Sequence, residues 1–397
     1  MRALFIHNIG GFMAAGLLHR PRCLFPAISY VNNRSLKTHA RCVVSGDHRY
    51  QTTTTEDDGG KPHQTLLVGS QQDAASRGIM NALLAREDWL DKSVGTEVGD
   101  MAGGKAWTHA RAPVSMWSVA GRLLDLDHVD RRWAQLREEK DGEVVLKQQQ
   151  RRLHPLSDVV FLSRHVAKSG VPSLCVHPIG VPDPSSSRDA GGKPGHCPPP
   201  SPRLAGCLRE LRRATREAGL ESSFDVTLEV THHGPWLETP AMFVEIGSSE
   251  EQWGRQDAAE VWADVLTRIL GLDGSSPSQE NWACLDSAAR ADRVAYVGLG
   301  GGHYAPRCGD LARIEGRYLG HMLASYALDF GKGGRWREAV TEAVRSTRAA
   351  FPGACGGVEG GVTALVDKKA FKSAERSLLL EHLTEIGVEH KFKSSEC

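Results

Sequence analysis

Two histidine blocks flanked by glycine carry the residue types best suited to chemistry: Glu229-Val230-Thr231-His232-His233-Gly234-Pro235 and Gly300-Gly301-Gly302-His303-Tyr304-Ala305-Pro306-Arg307. Each follows a strand-like run. In the second, Arg293 to Val297 is short, β-branched and aromatic, and the glycines beyond it tolerate positive φ and close approach of backbone to a ligand. His303 can then serve as a metal ligand or a general base, and Arg307, fixed behind Pro306, can fork onto a phosphate or carboxylate. The alternative is a glycine turn with a surface histidine. The loop lacks the Lys-Ser/Thr of a phosphate-binding loop and the spacing of a dinucleotide fingerprint.

The elements that must position these residues can be read from their periodicity. Phe224, Val226, Leu228 and Val230 alternate with Asp225, Thr227, Glu229 and Thr231, the period of a half-buried strand. On extended backbone the adjacent His232 and His233 point to opposite faces, so one is expected to enter a site while the other packs or is solvated. The run Ala241 to Gly247 places Glu245 inside an otherwise apolar strand, where a carboxylate must meet a cation, a metal or backbone donors, or else serve a structural salt bridge. Two further runs, Asp158 to His165 and Val171 to His177, also end in histidine. If all these strands share one sheet and one direction, His165, His177, His232, His233 and His303 converge on a single rim. Such a pocket suits a metal or acid–base work, although no compact His-Glu-x-x-His signature is present.

The blocks Ser163-Arg164-His165, Ser173-Leu174-Cys175-Val176-His177, Thr231-His232-His233-Gly234-Pro235, Phe243-Val244-Glu245-Ile246-Gly247-Ser248-Ser249-Glu250, Gly300 to Arg307 and Asp367-Lys368-Lys369-Ala370, in this order, resemble the archaeal and plant type of D-aminoacyl-tRNA deacylase. The resemblance runs over about residues 64 to 390; Thr65 to Ser70, Asp73 to Ser76 and Ala82 to Leu84 look like the family's first strand and helix. It implies hydrolysis of the ester joining a D-amino acid to the 3′-terminal adenosine of tRNA, a zinc cofactor, the aminoacylated tRNA 3′ end as partner, and, in plant members, action on substrate modified by acetaldehyde. The site expected on this basis has His303, His232 and Glu245 as catalytic groups. Gly300, Gly301, Gly302, Tyr304, Arg307 and Arg164 would bind substrate, with the glycine amides facing the developing oxyanion, and His165, His177 and His233 would hold metal. Cys175 stands where the family commonly has Thr, and Cys308 follows the arginine; neither removes a proposed ligand. A zinc peptidase or amidase and a non-catalytic binder of tRNA ends are the rival readings.

A chain of 397 residues with 40% hydrophobic content can bury a sizeable core. The expected fold is α/β: a three-layer sandwich around a mixed, largely parallel sheet, resembling the phosphorylase/hydrolase-like fold. Residues 1–60 read as an extension and 61–397 as the catalytic domain, with flexible insertions near 94–108, 138–150 and 181–202, the last rich in Pro, Gly and Ser. The first 46 residues hold six Lys/Arg and no acid, which resembles an organellar transit peptide, to mitochondrion or plastid, and leaves 42 basic against 48 acidic groups in the remainder. The protein is expected to be soluble, with no stretch of about 18 apolar residues. A body this acidic must meet RNA through a local patch. Arg203, Arg209, Arg212, Arg213 and Arg216 on one helix are a candidate, with a solvated charged face as the alternative. The 9 cysteines include no Cys-x-x-Cys pair, so a disulfide scaffold or zinc knuckle is not expected, and Cys308 reads as a bystander thiol. Two helices are well signalled. One starts near Ser248 with Glu251 and carries the stripe Val261, Trp262, Val265, Leu266, Ile269 and Leu270; the other runs from Ser373 to Ile386.

Overall fold

The computed structural model describes residues 64–86, 88–91, 104–142, 156–277, 282, 285–355 and 361–397. The extension at 1–60 and the targeting signal read in it, most of the insertion at 94–108, and 143–150 lie outside the described residues. The described residues begin with β1 (Gln64–Ser70), α1 (Ala74–Leu84), β2 (Trp89–Asp91), β3 (Lys105–His109), β4 (Val114–Val119), α2 (Val129–Gly142), β5 (Leu156–Arg164) and β6 (Ser173–Pro178). It continues with α3 (Leu204–Glu217), β7 (Asp225–Leu228), β8 (Ala241–Gly247), α4 (Glu250–Trp253), α5 (Gln256–Leu270) and α6 (Ser287–Ala291). The last part is β9 (Val294–Leu299), α7 (Pro306–Leu311), β10 (Arg317–Leu323), α8 (Trp336–Ala350), β11 (Val362–Val366), α9 (Ser373–Glu385) and β12 (Glu389–Lys391).

An eight-stranded sheet runs in the order β2-β3-β4-β1-β5-β8-β6-β7. Its centre, β4-β1-β5-β8, is parallel, while β6 runs antiparallel to β8 and parallel to β7. Successive residues of β1 go to opposite cores: Leu67 packs with α1, α3 and α5, and Leu66 and Val68 pack with Leu123, Leu126 and Trp133 on the other face. That two-sided burial is why the central strands read as continuous apolar runs. The mixed, largely parallel α/β sandwich is therefore present. A second sheet, β10-β9-β11-β12, is parallel throughout and covered on one face by α8 and α9. It was not foreseen as separate, because its strands alternate with helices just as those of the first sheet do. Helix α3 contacts β6, β7 and β10 and so lies between the two sheets.

The helix signals hold in part: the first expected helix is two, a one-turn α4 that ends at Gly254 and carries the capping box, and α5, which carries the apolar stripe. The capping box is one residue later than expected, with Gln252 Oε1 accepting from the Ser249 amide at 3.1 Å. The stripe on α5 is buried throughout, and Gly271 closes that helix in the left-handed conformation at φ 66°. Among the described residues no helix is long and apolar enough to cross a membrane.

Two compositional expectations need correction. The segment 181–202 packs closely: its backbone bonds to itself from Gly195 to Val181 at 2.7 Å and to β8 from Ser201 to Ala241 at 3.0 Å, and Cys197 is fully buried. Its proline and glycine content reflects turns closing on neighbouring backbone. The arginines read together on α3 divide into two that are solvated and paired with glutamates and others that hold the fold. Arg209 and Arg212 donate to the Ala312 and Gly309 carbonyls at 2.8 and 2.9 Å around α7, and Arg213 and Arg216 pair with glutamates. Arg203 meets Asp158, only 1% exposed, at 3.1 Å, and the same carboxylate accepts from Thr65 and Ser201. Removing the guanidinium strands a buried charge, so Arg203→Ala is expected to lower unfolding stability by about 3 kcal/mol, read in urea, with the catalytic cleft unaltered.

Candidate active site

The two sheets meet at the segment that follows β7. Instead of continuing as a half-exposed strand, it is gripped from both sides. The Val230 amide donates to the His303 carbonyl at 3.0 Å, the Thr231 amide to Met322 on β10 at 2.8 Å, and the Ala305 amide to Leu228 at 3.0 Å. Glu229, a polar position of the alternation, is therefore sealed in rather than solvated, at 0% exposure. The hydroxyl of Thr231 fixes the junction further. It accepts from the Met322 amide at 3.0 Å and contacts His321 Nδ1 at 2.9 Å, while His321 Nε2 lies 3.0 Å from the Pro198 carbonyl in the 181–202 segment. Burial lowers the pKa of His321 to about 4, so the ring is neutral, with its proton on the nitrogen that faces the carbonyl.

Around this junction five imidazoles and two carboxylates converge. Glu229 lies 3.3 Å from His165 Nδ1, 3.3 Å from His303 Nε2 and 3.7 Å from His232 Nε2. Glu245 lies 3.4 Å from His165 Nδ1 and 3.8 Å from His177 Nε2. His165, His232, His233, Glu245 and His303 line a cleft of about 380 Å³ together with Asp73, Arg122 and Arg164. The convergence expected of the histidines is real, but its cause is different. The strands do not share one sheet or one direction: β6 is antiparallel to β8, which sets His177 within the sheet opposite Phe243, and His303 arrives from the second sheet.

The adjacency rule for His232 and His233 also fails. His233 takes φ 43°, a left-handed conformation rare outside glycine, and this breaks the alternation so that both rings enter the cluster, 4.3 Å apart. Gly234 makes the fold-back possible, since a Cβ there would lie 2.1 Å from the Gly192 amide nitrogen. Three of the rings share one device. His177 Nδ1 faces the Pro178 carbonyl at 3.1 Å, His232 Nδ1 that of Val230 at 2.8 Å, and His233 Nδ1 that of Gly234 at 2.9 Å. A carbonyl only accepts, so each Nδ1 carries the proton and each Nε2 presents a lone pair. The ligand atoms of these three histidines lie within 4.8 Å of one another.

The electrostatics separate the groups. Burial and the neighbouring His177 hold His232 well below the ordinary imidazole range and bring His233 down to about 4, so both rings are uncharged at neutral pH. Burial alone would also lower His165 and His177, but Glu245 and Glu229 outweigh it and raise both. Burial opposes the charge on Glu245, yet the short contacts to His165 and His177 hold it below the usual carboxylate range. Among the described residues neither oxygen of Glu229 finds a hydrogen-bond partner, nor does Nε2 of His165 or His177. Two unbonded carboxylate oxygens in a sealed site are expensive unless a cation completes them. This donor set fits a metal ion.

Other expected site residues fall around the cluster. Arg164 lines the cleft with its guanidinium 4.7 Å above the Trp253 ring, on Asp73, whose carboxylate caps α1 through the Ser76 amide at 3.0 Å. Arg307 is not a free fork: it pairs with Asp367 at 3.1 Å and donates to the Phe392 carbonyl at 2.9 Å. With Gly300, Gly301, Gly302, Tyr304 and Asp367 it lines a separate cavity of about 130 Å³. The amides of Gly300 and Gly301 are committed to Leu323 and Ser325 at 2.8 and 3.1 Å, which among the described residues leaves Gly302 as the glycine amide open to a ligand. Gly300, at φ 93°, would also drive a Cβ into Phe371 at 2.7 Å. Cys308 is buried, with its thiol pushed up to about 12 by burial, so it remains a bystander.

Every residue of the cluster falls within 154–391, the stretch matched by the family model described as D-aminoacyl-tRNA deacylase. This chain belongs to that family. The D-aminoacyl-tRNA deacylase of Arabidopsis thaliana is 35% identical over 336 residues, 81% of this chain and 96% of the relative. That of Archaeoglobus fulgidus is 28% identical over 326 residues, 82% of this chain and 94% of the relative. Among solved structures, AF0625, described as a conserved protein of unknown function, superposes with a TM-score of 0.61 at 27% identity, covering 85% of this deacylase-family chain and 97% of that one. Glu229 is the site residue that sequence reasoning missed. Its only signal was its place three residues before His232, and the alternating pattern pointed it toward solvent.

Proposed function

We infer that this chain hydrolyses the ester bond of D-aminoacyl-tRNA, releasing the D-amino acid and free tRNA. The observation that carries the chemistry is the buried, unbonded Glu229 carboxylate ringed by His165, His232 and His303. Family membership supports the substrate.

His177, His232 and His233 would hold a zinc ion through their Nε2 atoms, with the carbonyl contact at each Nδ1 orienting the ring. Such an ion, when bound, supplies Lewis acidity toward an ester carbonyl. This regroups the expected roles, moving His232 from the catalytic set to the ligand set and His165 from the ligand set to the carboxylates, whose charge it balances. His303 stands at the cleft mouth with its side chain 35% exposed. Its Nε2 faces Glu229, which stabilises the charged ring, and its Nδ1, reached through the Tyr326 hydroxyl, takes a proton from the attacking water and returns it to the adenosine 3′-oxygen as the carbon–oxygen bond breaks. The amide of Gly302, next to His303 in the chain, would donate to the oxyanion. Arg164 and Arg122 line the cleft and offer positive charge to the terminal phosphates.

Hydrolysis of matched D- and L-tyrosyl-tRNA, with and without a chelator, tests this. Preferential release from the D-ester that disappears on chelation and returns with zinc is the expected result. Equal release from both esters, or none from either, rules out the deacylase assignment, and turnover indifferent to chelation rules out the metal.

A further inference from the structure

Tyr326 is an exposed aromatic residue whose hydroxyl meets His303, a residue of the cleft wall. Its residue is 64% exposed, yet its oxygen lies 3.0 Å from His303 Nδ1. The turn that carries it, just after β10, is tied reciprocally to the loop that carries His303. The Ser325 amide donates to the Gly301 carbonyl at 2.9 Å, and the Gly301 amide donates to Ser325 Oγ at 3.1 Å. Tyrosine and histidine are thus held in register by backbone, so the contact is built and not a chance meeting of surface side chains. No structural demand explains the ring. Among the described residues it belongs to no buried apolar cluster.

Resting on the deacylase reading, we propose that Tyr326 has two separable roles: its hydroxyl positions His303, and its ring is the platform on which the 3′-terminal base of the tRNA stacks. The terminal base is one ribose away from the scissile ester. When the ester lies at the cluster, the base must rest beside His303, where this ring stands. The end of tRNA is single-stranded, and unpaired bases are held chiefly by stacking on aromatic side chains. Tyr304, 41% exposed and with its ring centroid 5.5 Å from that of His303, forms the neighbouring wall.

Two variants separate the roles. Tyr326→Phe keeps the ring and removes the hydroxyl, and is expected to lower kcat about tenfold while KM stays within about twofold. Tyr326→Leu loses the ring as well and is expected to raise KM by about a further tenfold, as the loss of one stacked base would. Because the side chain is exposed, both variants should unfold with the unsubstituted protein. A binding measurement free of turnover stands beside the kinetics: affinity for deacylated tRNA against the same tRNA trimmed of its terminal adenosine. Trimming should cost the unsubstituted protein and Tyr326→Phe about tenfold, and Tyr326→Leu almost nothing. An unchanged kcat in Tyr326→Phe overturns the positioning role; an equal trimming cost in Tyr326→Leu overturns the platform. If the unsubstituted protein binds the two tRNAs differently but hydrolyses neither ester, the deacylase reading fails while the platform stands.

Discussion

Glu229→Gln should lower kcat/KM for D-aminoacyl-tRNA by about 10³-fold and leave the folded state at least as stable. The two halves of that expectation come from the same observation. Glu229 is fully buried with both oxygens unbonded, so its charge does nothing for folding that a neutral amide of the same shape would not do at lower cost. Its value must lie in the three imidazoles it faces. Thermal unfolding of the metal-free protein should therefore show a midpoint no lower than that of the unsubstituted chain, beside the kinetic collapse. A loss of less than tenfold in kcat/KM would remove Glu229 from the site, and a drop in midpoint of several degrees would make it a structural ion-pair partner.

The second large effect is a contrast between two histidines. His177→Ala should empty the site of zinc and abolish turnover, because His177 is wholly buried, offers only Nε2 to the cluster and stacks on Phe243 at 5.2 Å. His303→Ala should retain its zinc and still lose about 10² to 10⁴ in kcat, the range of a lost general acid–base group. Metal content by elemental analysis, set beside single-turnover hydrolysis, reads both. If His303→Ala loses the metal, His303 is a ligand; if His177→Ala keeps it, the three-histidine assignment is wrong and the ligands must be sought around Glu229, where His165 with Cys175 and His232 with His303 form compact sets without His177.

Some of this site was legible because its signals are local. Glu245 declared itself as a charge inside an apolar strand, and it does meet two imidazoles. The glycines before His303 announced a left-handed turn, and Gly300 and Gly301 adopt it. The apolar stripe of α5 follows helical spacing and is buried along its length. Other features were misread by the same rules. Period two assigned Glu229 and Thr231 to solvent, and opposite faces to His232 and His233, because the rule assumes an unbroken strand with one wet face. Arg209 and Arg212 on α3 read as part of a charged surface face, since a sequence does not show that the α7 carbonyls lie beside them.

What the sequence by itself determined is the set of reactive residues, their order, and the helices and strands that carry them, since side-chain periodicity is a property of neighbouring residues along the chain. Which residues form one site was decided only in the tertiary structure. A second sheet clamps the segment after β7, a left-handed His233 turns its ring inward, and residues 181–202 close over both. Each of these depends on backbone separated by tens of residues coming into contact, and such contacts leave no period in the sequence.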